Sequence, residues 1–297
     1  KDNNMKIFYI GCVKSSYRFL KALIEHKADI AGVATMRSST FNSDFTDLAP
    51  LCLEWQIPYL YVTNINTDEV AQFIQSSSPD IGFCFGWSQL IKNNIISMFP
   101  MGMVGYHPAA LPNNRGRHPI IWALALGLEK TASSFFMLED TPDTGDILSQ
   151  VEVDILYEDT ADTLMKKLLT TGEKQIITLW HELENNTVNR ISQSGSAGNT
   201  WRKRNRLDGQ IDWRMSAQAI YNLVRALTRP YIGAHFIKNK SEIKVWRVRE
   251  IINNHYRHIE PGKIIEVNHD SFCVKAGDNL IEVLEYDPVD ISVGEYL

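Results

Sequence analysis

The stretch Lys6-Ile-Phe-Tyr-Ile-Gly11 is an apolar run that ends in glycine, and an amphipathic helical pattern follows it directly. Similar apolar runs recur further along the chain, at 30–35, 58–62, 81–85, 132–138 and 147–155. Helical patterns separate or follow them, at 47–55, 67–75 and 160–183. Strands that alternate with helices form a parallel sheet covered on both faces, so the pattern predicts an α/β fold with a doubly wound, mostly parallel sheet.

The last third of the chain has a different pattern. Residues 185–200 are rich in Asn, Ser and Gly, which is typical of a domain boundary, and a helical pattern follows at 216–227. Five short strand-like runs come next, at 234–237, 244–248, 263–267, 272–275 and 280–284. They predict a smaller C-terminal β-barrel domain that is OB-like. We assign 1–190 to the α/β domain, 191–205 to a linker and 206–297 to the barrel domain.

The composition excludes several classes of partner. Hydrophobic residues make up 44% and charged residues 22% of the chain, as in soluble globular proteins. The net charge of −5 predicts no nucleic-acid partner, and the apolar runs are too short to predict a membrane partner. The four cysteines are scattered and lack a Cys-x-x-Cys pattern. This spacing predicts no metal site and no disulfide framework, and it favours a cytoplasmic location.

A histidine-bearing stretch at 106–119, Tyr-His-Pro-Ala-Ala-Leu-Pro-Asn-Asn-Arg-Gly-Arg-His-Pro, lies between an apolar run and an apolar helical pattern. Ligands of doubly wound sheets bind beyond the C-terminal ends of the strands, and His107 is placed there. Pro108 disfavours helical geometry at His107. An imidazole exchanges protons near neutral pH, so His107 is a candidate acid–base group.

A candidate partner for this histidine lies in Pro142-Asp-Thr-Gly145, between two predicted strands. Asp143 would orient the imidazole, or share a water molecule with it, if both turns meet at one edge of the sheet. A surface histidine with an unrelated turn aspartate is the alternative that spacing alone leaves open. Gly11 follows the first strand without Gly-x-Gly-x-x-Gly or Gly-Lys-Ser/Thr, so dinucleotide and P-loop fingerprints are lacking.

Several ordered motifs resemble the formyltransferases that use 10-formyltetrahydrofolate. They are His107-Pro-x-x-Leu-Pro-x-x-Arg-Gly116 and, 36 residues after the histidine, Asp143-Thr-Gly-Asp-Ile-Leu148. The second part, including Asp208-Gly-Gln-Ile-Asp-Trp213 and Pro230-Tyr-Ile-Gly-Ala234, is similar to the tRNA-modifying and sugar-modifying members. The resemblance covers nearly the whole chain, and it implies a Rossmann-like catalytic domain.

The resemblance implies direct transfer of a formyl group to an amine through a tetrahedral intermediate, with no metal and no covalent enzyme intermediate. It assigns proton transfer to His107 and Asp143. The asparagine that the family places two residues before the histidine is replaced here by Gly105. We assign its role of stabilising the oxyanion to Asn114. Asn113 and the backbone N–H of Gly105 remain alternatives.

The resemblance also indicates binding residues for the co-substrate, 10-formyltetrahydrofolate. They lie in three segments, Gly86-Trp87-Ser88-Gln89-Leu90-Ile91, Leu111-Pro112 and Glu139-Asp140-Thr141. For Trp87, a plain core position is the alternative reading.

The acceptor is predicted to be a nucleotide-linked amino sugar whose phosphates contact Arg115 or Arg117. The chain lacks the basic insertion that the tRNA enzymes carry after the second strand. Its one basic cluster, 202–206, is typical of a solvated face, and contact with a diphosphate is the alternative. Methionyl-tRNA formyltransferase is the alternative, and a catalytically silent protein that binds folate or a nucleotide sugar is another. The sizeable second domain argues against the purine-pathway enzyme. A homodimer is compatible with the resemblance, although the residues do not indicate one.

Overall fold

The computed structural model describes residues 4–195 and 197–297. The helices, numbered in chain order, are α1 Lys14–Glu25, α2 Ala49–Glu54, α3 Asp68–Ser77, α4 Asn93–Ile96, α5 Pro119–Ala125, α6 Ala161–Glu184 and α7 Ala217–Leu227. The strands are β1 Lys6–Ile10, β2 Asp29–Thr35, β3 Tyr59–Tyr61, β4 Ile81–Cys84, β5 Met103–His107, β6 Arg115–Gly116, β7 Lys130–Met137, β8 Ile147–Asp154, β9 Thr200–Trp201, β10 Ala234–Lys238, β11 Ser241–Ile251, β12 Ile264–Val267, β13 Phe272–Lys275 and β14 Leu280–Tyr286. Short 3-10 helices cover Arg206–Gly209 and Asn254–Tyr256.

The chain divides into two compact units. Unit 1 comprises Lys1–Gly116, Ala132–Val153 and Lys167–Thr200, and unit 2 comprises Arg117–Thr131, Asp154–Lys166 and Trp201–Leu297. In the described part of the chain, no helix combines the length and the hydropathy that crossing a bilayer requires.

Within the described residues, the main sheet of unit 1 has seven strands in the order β3-β2-β1-β4-β5-β7-β8. The first five are parallel, and β7 pairs antiparallel with β5. The prediction of a doubly wound, mostly parallel sheet is therefore confirmed. Because β1, β4 and β5 lie side by side and run the same way, the loops that follow them emerge at one edge.

The apolar periodicity of the sequence explains the packing of side chains on both faces of this sheet. On one face, Phe8 and Ile10 of β1 pack with Ile74 of α3 and with Phe99 and Met103. Elsewhere in unit 1, Phe19 of α1 makes ring contacts with residues of three strand segments, at Phe85, Tyr106 and Phe135. This packing on β5, β7 and the residue that follows β4 supports the end of β5, where the histidine-bearing turn begins.

Helix α2 begins two residues later than the predicted start at 47. The Asp47 side chain accepts a hydrogen bond from the Ala49 N–H, at 2.8 Å, and thereby satisfies a free donor at the helix start. Pro50 lies in the first turn, where its missing N–H costs nothing. Asp47 therefore precedes the N-cap residue, Leu48, and is not part of the helix.

The C-terminal strands of unit 2 form one antiparallel sheet in the order β10-β11-β14-β13-β12. Trp213, Phe236 and Phe272 contact one another in series in its core. The five predicted strands are confirmed. Among the described residues, the edge strands β10 and β12 are not paired with each other, so the hydrogen bonds define an open sheet rather than a closed barrel.

Candidate active site

His107 is the last residue of β5, and its side chain is buried, with 5% of the residue exposed. Its Nε2 atom lies 2.7 Å from the carbonyl oxygen of Asn114. A carbonyl oxygen only accepts hydrogen bonds, so Nε2 carries the hydrogen in the neutral imidazole. The lone pair is therefore on Nδ1, which makes Nδ1 the nitrogen that takes up a proton.

Asp143 lies beside this lone pair. Its Oδ2 atom is 3.9 Å from His107 Nδ1 and accepts a hydrogen bond from the Gly116 N–H at 2.9 Å. The separation exceeds a direct hydrogen bond but places the carboxylate next to any positive charge that forms on the ring. The two turns thus meet at one edge of the sheet, as their sequence positions suggested.

Asn114 adopts a left-handed backbone conformation with φ 63°. Asparagine tolerates this conformation better than most residues. Its N–H donates to Asn199 Oδ1 at 3.0 Å, and its carbonyl holds His107. Its side-chain amide has no hydrogen-bond partner within residues 4–195 and 197–297, so it remains available as a donor. Asn113 is more exposed than Asn114 and lies next to it on the same turn.

The position of the missing family asparagine is tightly packed. A Cβ atom added to Gly105 would lie 2.6 Å from Leu138 Cδ2 and 3.0 Å from Phe136 Cζ. Leu138 belongs with Leu111, Phe136 and Ile147 to one apolar cluster. The space beside Gly105 is therefore already filled by apolar side chains.

This packing predicts the effect of restoring the asparagine. Gly105→Asn is expected to lower the free energy of unfolding by about 1–3 kcal/mol, the usual cost of overpacking. Adding Leu138→Ala is expected to recover part of that loss, since it removes the closest atom. Leu138→Ala alone is the control, so that the four proteins, wild type included, form a double-mutant cycle. Urea unfolding of the four proteins checks this, and a double variant whose loss equals the sum of the two single losses would contradict it.

The two predicted phosphate-binding arginines have different surroundings. Arg115 Nε and Nη2 both donate to Gln193 Oε1, at 3.3 and 2.8 Å. These bonds use two of the five guanidinium N–H groups, so Arg115 could contact a phosphate through the other three while it stays bonded to Gln193. Arg117 belongs to unit 2 and is exposed.

Sequence reasoning missed Gln193 and Asn199, which both lie in the segment 191–205 that was assigned to a linker. Gln193 Nε2 donates to the carbonyls of Asp143 and Gly145, at 3.1 and 2.6 Å. A polar residue in a Ser-rich and Gly-rich segment carries no sequence signal that would distinguish this role.

The predicted folate-binding segment 86–91 follows β4 and is held by its own contacts. Gln89 donates to the Thr63 carbonyl at 2.6 Å and accepts from the Ile65 N–H at 3.0 Å. Trp87 packs against the core cluster on one face of the sheet, but its buried Nε1 makes no hydrogen bond to any described residue. Leu90 is 58% exposed.

The other predicted folate-binding residues fall into two groups. Leu111 is buried in the apolar cluster, and the bond from it to Pro112 is cis. Glu139, Asp140 and Thr141 are all exposed, just before the Asp143 turn.

The cysteines near these loops are poor nucleophiles. Burial, with a smaller contribution from Asp44, raises the pKa of Cys12 to about 11. Burial likewise raises the pKa of Cys84 far above its usual range. Both thiols are protonated near neutral pH, which disfavours covalent catalysis by either one.

Comparison with known protein families identifies the family of this chain. A formyl transferase family model matches residues 22–179, and a model of the formyl transferase C-terminal domain matches residues 204–291. The chain belongs to the formyl transferase family. This membership confirms the predicted family and its two-part fold, and it identifies the class of reaction as formyl transfer.

Solved structures share the fold at low sequence identity. WlaRD, a sugar 3N-formyl transferase solved in the presence of dTDP and 5-N-formyl-THF, has a TM-score of 0.70 at 19% identity, over 96% of this chain and 98% of its own. The N-formyltransferase from Helicobacter canadensis, in complex with folinic acid and dTDP-3-aminofucose, has a TM-score of 0.71 at 18% identity, over 95% and 100%. Methionyl-tRNA formyltransferase from Clostridium thermocellum has a TM-score of 0.62 at 19% identity, over 82% and 93%.

Proposed function

We propose that this formyl transferase moves the formyl group of 10-formyltetrahydrofolate to the amine of a nucleotide-linked amino sugar. The observation that carries the proposal is the arrangement of His107. Its Nε2 is held by the Asn114 carbonyl at 2.7 Å, and its Nδ1 lies 3.9 Å from Asp143. The arrangement leaves one ring nitrogen free to accept a proton from an attacking amine, which formyl transfer requires.

The segment 86–91 fits a folate co-substrate in one specific respect. The buried Trp87 Nε1 is a hydrogen-bond donor without an acceptor among the described residues, and buried donors usually have one. In this proposal, residues 86–91, 111–112 and 139–141 hold the folate. The folate supplies the formyl group.

The chain's own residues would divide the chemistry among three side chains. His107 Nδ1 takes up the amine proton, and the Asp143 carboxylate stabilises the imidazolium that results. The imidazolium then gives this proton to the folate nitrogen as its bond to the formyl carbon breaks, which releases tetrahydrofolate. The Asn114 amide donates a hydrogen bond to the formyl oxygen as negative charge develops on it. Such donors have their largest effect when they are already oriented before the reaction, and the His107 contact orients the Asn114 turn.

The charge distribution supports a small acceptor rather than tRNA. In the basic cluster of unit 2, Arg202 makes a bidentate pair with Asp208, at 2.7 and 2.5 Å, and Arg206 pairs with Glu242 at 2.6 Å. These partners neutralise much of the cluster's field, whereas tRNA binding depends on uncompensated positive charge. We also propose a cytoplasmic location, because both proposed substrates, the folate and the nucleotide-linked amino sugar, are available there.

Methionyl-tRNA formyltransferase is a second candidate function. The similarity to the Clostridium thermocellum enzyme, with a TM-score of 0.62, favours it. Tight tRNA binding that weakens steeply with salt would distinguish it, because such binding releases counterions from the phosphates.

A transfer assay followed by mass spectrometry tests the proposal. Purified protein and 10-formyltetrahydrofolate are incubated with UDP-, dTDP- and GDP-linked amino sugars in separate reactions, and with methionyl-tRNA in another. We expect one amino sugar to gain the mass of a formyl group. Product on tRNA alone would overturn the choice of acceptor. Folate binding without product across a complete panel would favour the silent binding protein.

A further inference from the structure

Residues 191–195 and 197–199, called the strap below, run beside both turns of the candidate site. At the beginning of the strap, Ile191 and Ile147 exchange both backbone hydrogen bonds, at 2.8 and 2.9 Å. At its end, the Asn199 carbonyl accepts from the Arg115 N–H at 3.0 Å. A Cβ atom on Gly198 would lie 2.3 Å from the Pro112 carbonyl oxygen, so the strap approaches that turn closely.

Gln193 connects the two turns from the middle of the strap. It is 4% exposed. Its Nε2 donates to the carbonyls of Asp143 and Gly145, and its Oε1 accepts from Arg115 twice. Both hydrogens of Nε2 and both lone pairs of Oε1 are thereby engaged, so one side chain links the Asp143 turn to the Arg115 turn.

We propose that Gln193 is a positioning residue for formyl transfer, an inference that rests on the proposed function. Its bonds to the Asp143 turn keep the carboxylate beside His107 Nδ1. Its bonds to Arg115 hold the turn in which the Asn114 carbonyl fixes the His107 ring. These hydrogen bonds reach the backbone of the Asp143 turn and the Arg115 guanidinium, so Gln193 acts through these two turns.

The backbone conformation shows why the turns need this support. Asn114 and Asp143 have φ values of 63° and 60°, in the left-handed region that side-chain-bearing residues seldom occupy. Such conformations persist when surrounding contacts hold them. Only an amide both donates to two carbonyls and accepts from a guanidinium, so neither glutamate nor methionine replaces Gln193.

Gln193→Met tests this role, because methionine has a similar length and no hydrogen-bonding capacity of this kind. Gln175→Met is the matched control. Gln175 is also buried in unit 1, at 6% exposure, but its Nε2 donates to the Ser133 carbonyl and Ser149 Oγ, which belong to neither turn. We expect kcat to fall by about 10²-fold in Gln193→Met, the cost of misplaced reacting groups. The KM for 10-formyltetrahydrofolate is expected to stay within about twofold, since none of the lost bonds involves the proposed folate-binding segments 86–91, 111–112 and 139–141.

Two additional measurements keep the test decisive. Gln193→Glu retains the contact with Arg115 and removes the donors to Asp143 and Gly145, so its kcat is expected to fall by a similar factor. Because the contact with Arg115 is kept, this variant is expected to fold even if Gln193→Met does not. Hydrogen exchange over 114–116 and 143–146 is expected to accelerate in both variants and not in Gln175→Met. Equal kcat values in Gln193→Met and Gln175→Met would overturn the proposal. If the wild type transfers no formyl group, the proposed function fails. Separately, unchanged hydrogen exchange over 114–116 and 143–146 in the Gln193 variants would overturn the positioning role.

Discussion

His107→Ala is expected to lower the turnover number for formyl transfer by about 10²–10⁴-fold, the usual contribution of a positioned acid–base group. The variant loses the Nδ1 lone pair that faces Asp143 and the Nε2 donor that contacts the Asn114 carbonyl. The attacking amine then has to release its proton to solvent. The measurement is the mass-spectrometric transfer assay at saturating concentrations of both substrates.

The control for His107→Ala is His26→Ala, which removes an exposed histidine from the same unit. Asp143→Ala is expected to reduce turnover as well, whereas Asp146→Ala, in the same turn, is expected to reduce it much less. Thermal melting should show a cooperative transition in all four variants, which separates loss of chemistry from loss of folding. Full activity in either His107→Ala or Asp143→Ala would contradict the mechanism.

The architecture of unit 1 was readable from the sequence because its strands are buried on both faces. Runs such as 81–85 are apolar without interruption, and the helices between them have one apolar stripe. The same logic placed His107 at a strand end. Helix ends were less predictable, as Asp47 shows, because an aspartate just before a helix and one inside its first turn look alike in sequence.

The parts of the site that depend on contacts between distant residues were not readable. The space beside Gly105 is filled by Phe136, which lies on β7, and by Leu138, which follows that strand. The contacts of Gln193 reach back to residues 115, 143 and 145 through a polar segment whose composition is typical of a linker. Composition reports exposure on average, and it does not report which single polar side chain is buried.

Asn114→Ala is expected to slow turnover by about 10²–10³-fold, the usual effect of removing an oxyanion donor. The expectation follows from two observations. Gly105 provides no side-chain donor, and Leu138 fills the space where one would lie. The Asn114 amide has no hydrogen-bond partner among the described residues, and it belongs to the residue whose carbonyl holds His107 Nε2.

Asn114→Gly tests the role of the Asn114 side-chain amide separately from that of its backbone carbonyl. Alanine at φ 63° is strained, so Asn114→Ala could also disturb the carbonyl that holds His107, whereas glycine adopts this conformation freely. If the Asn114 amide donates to the transition state, Asn114→Gly is expected to be about as slow as Asn114→Ala. Asn113→Ala, one residue earlier on the same turn, is expected to keep nearly full turnover. Equal rates for Asn113→Ala and Asn114→Gly would assign the oxyanion to another donor, and the Gly105 N–H would then be the next group to test.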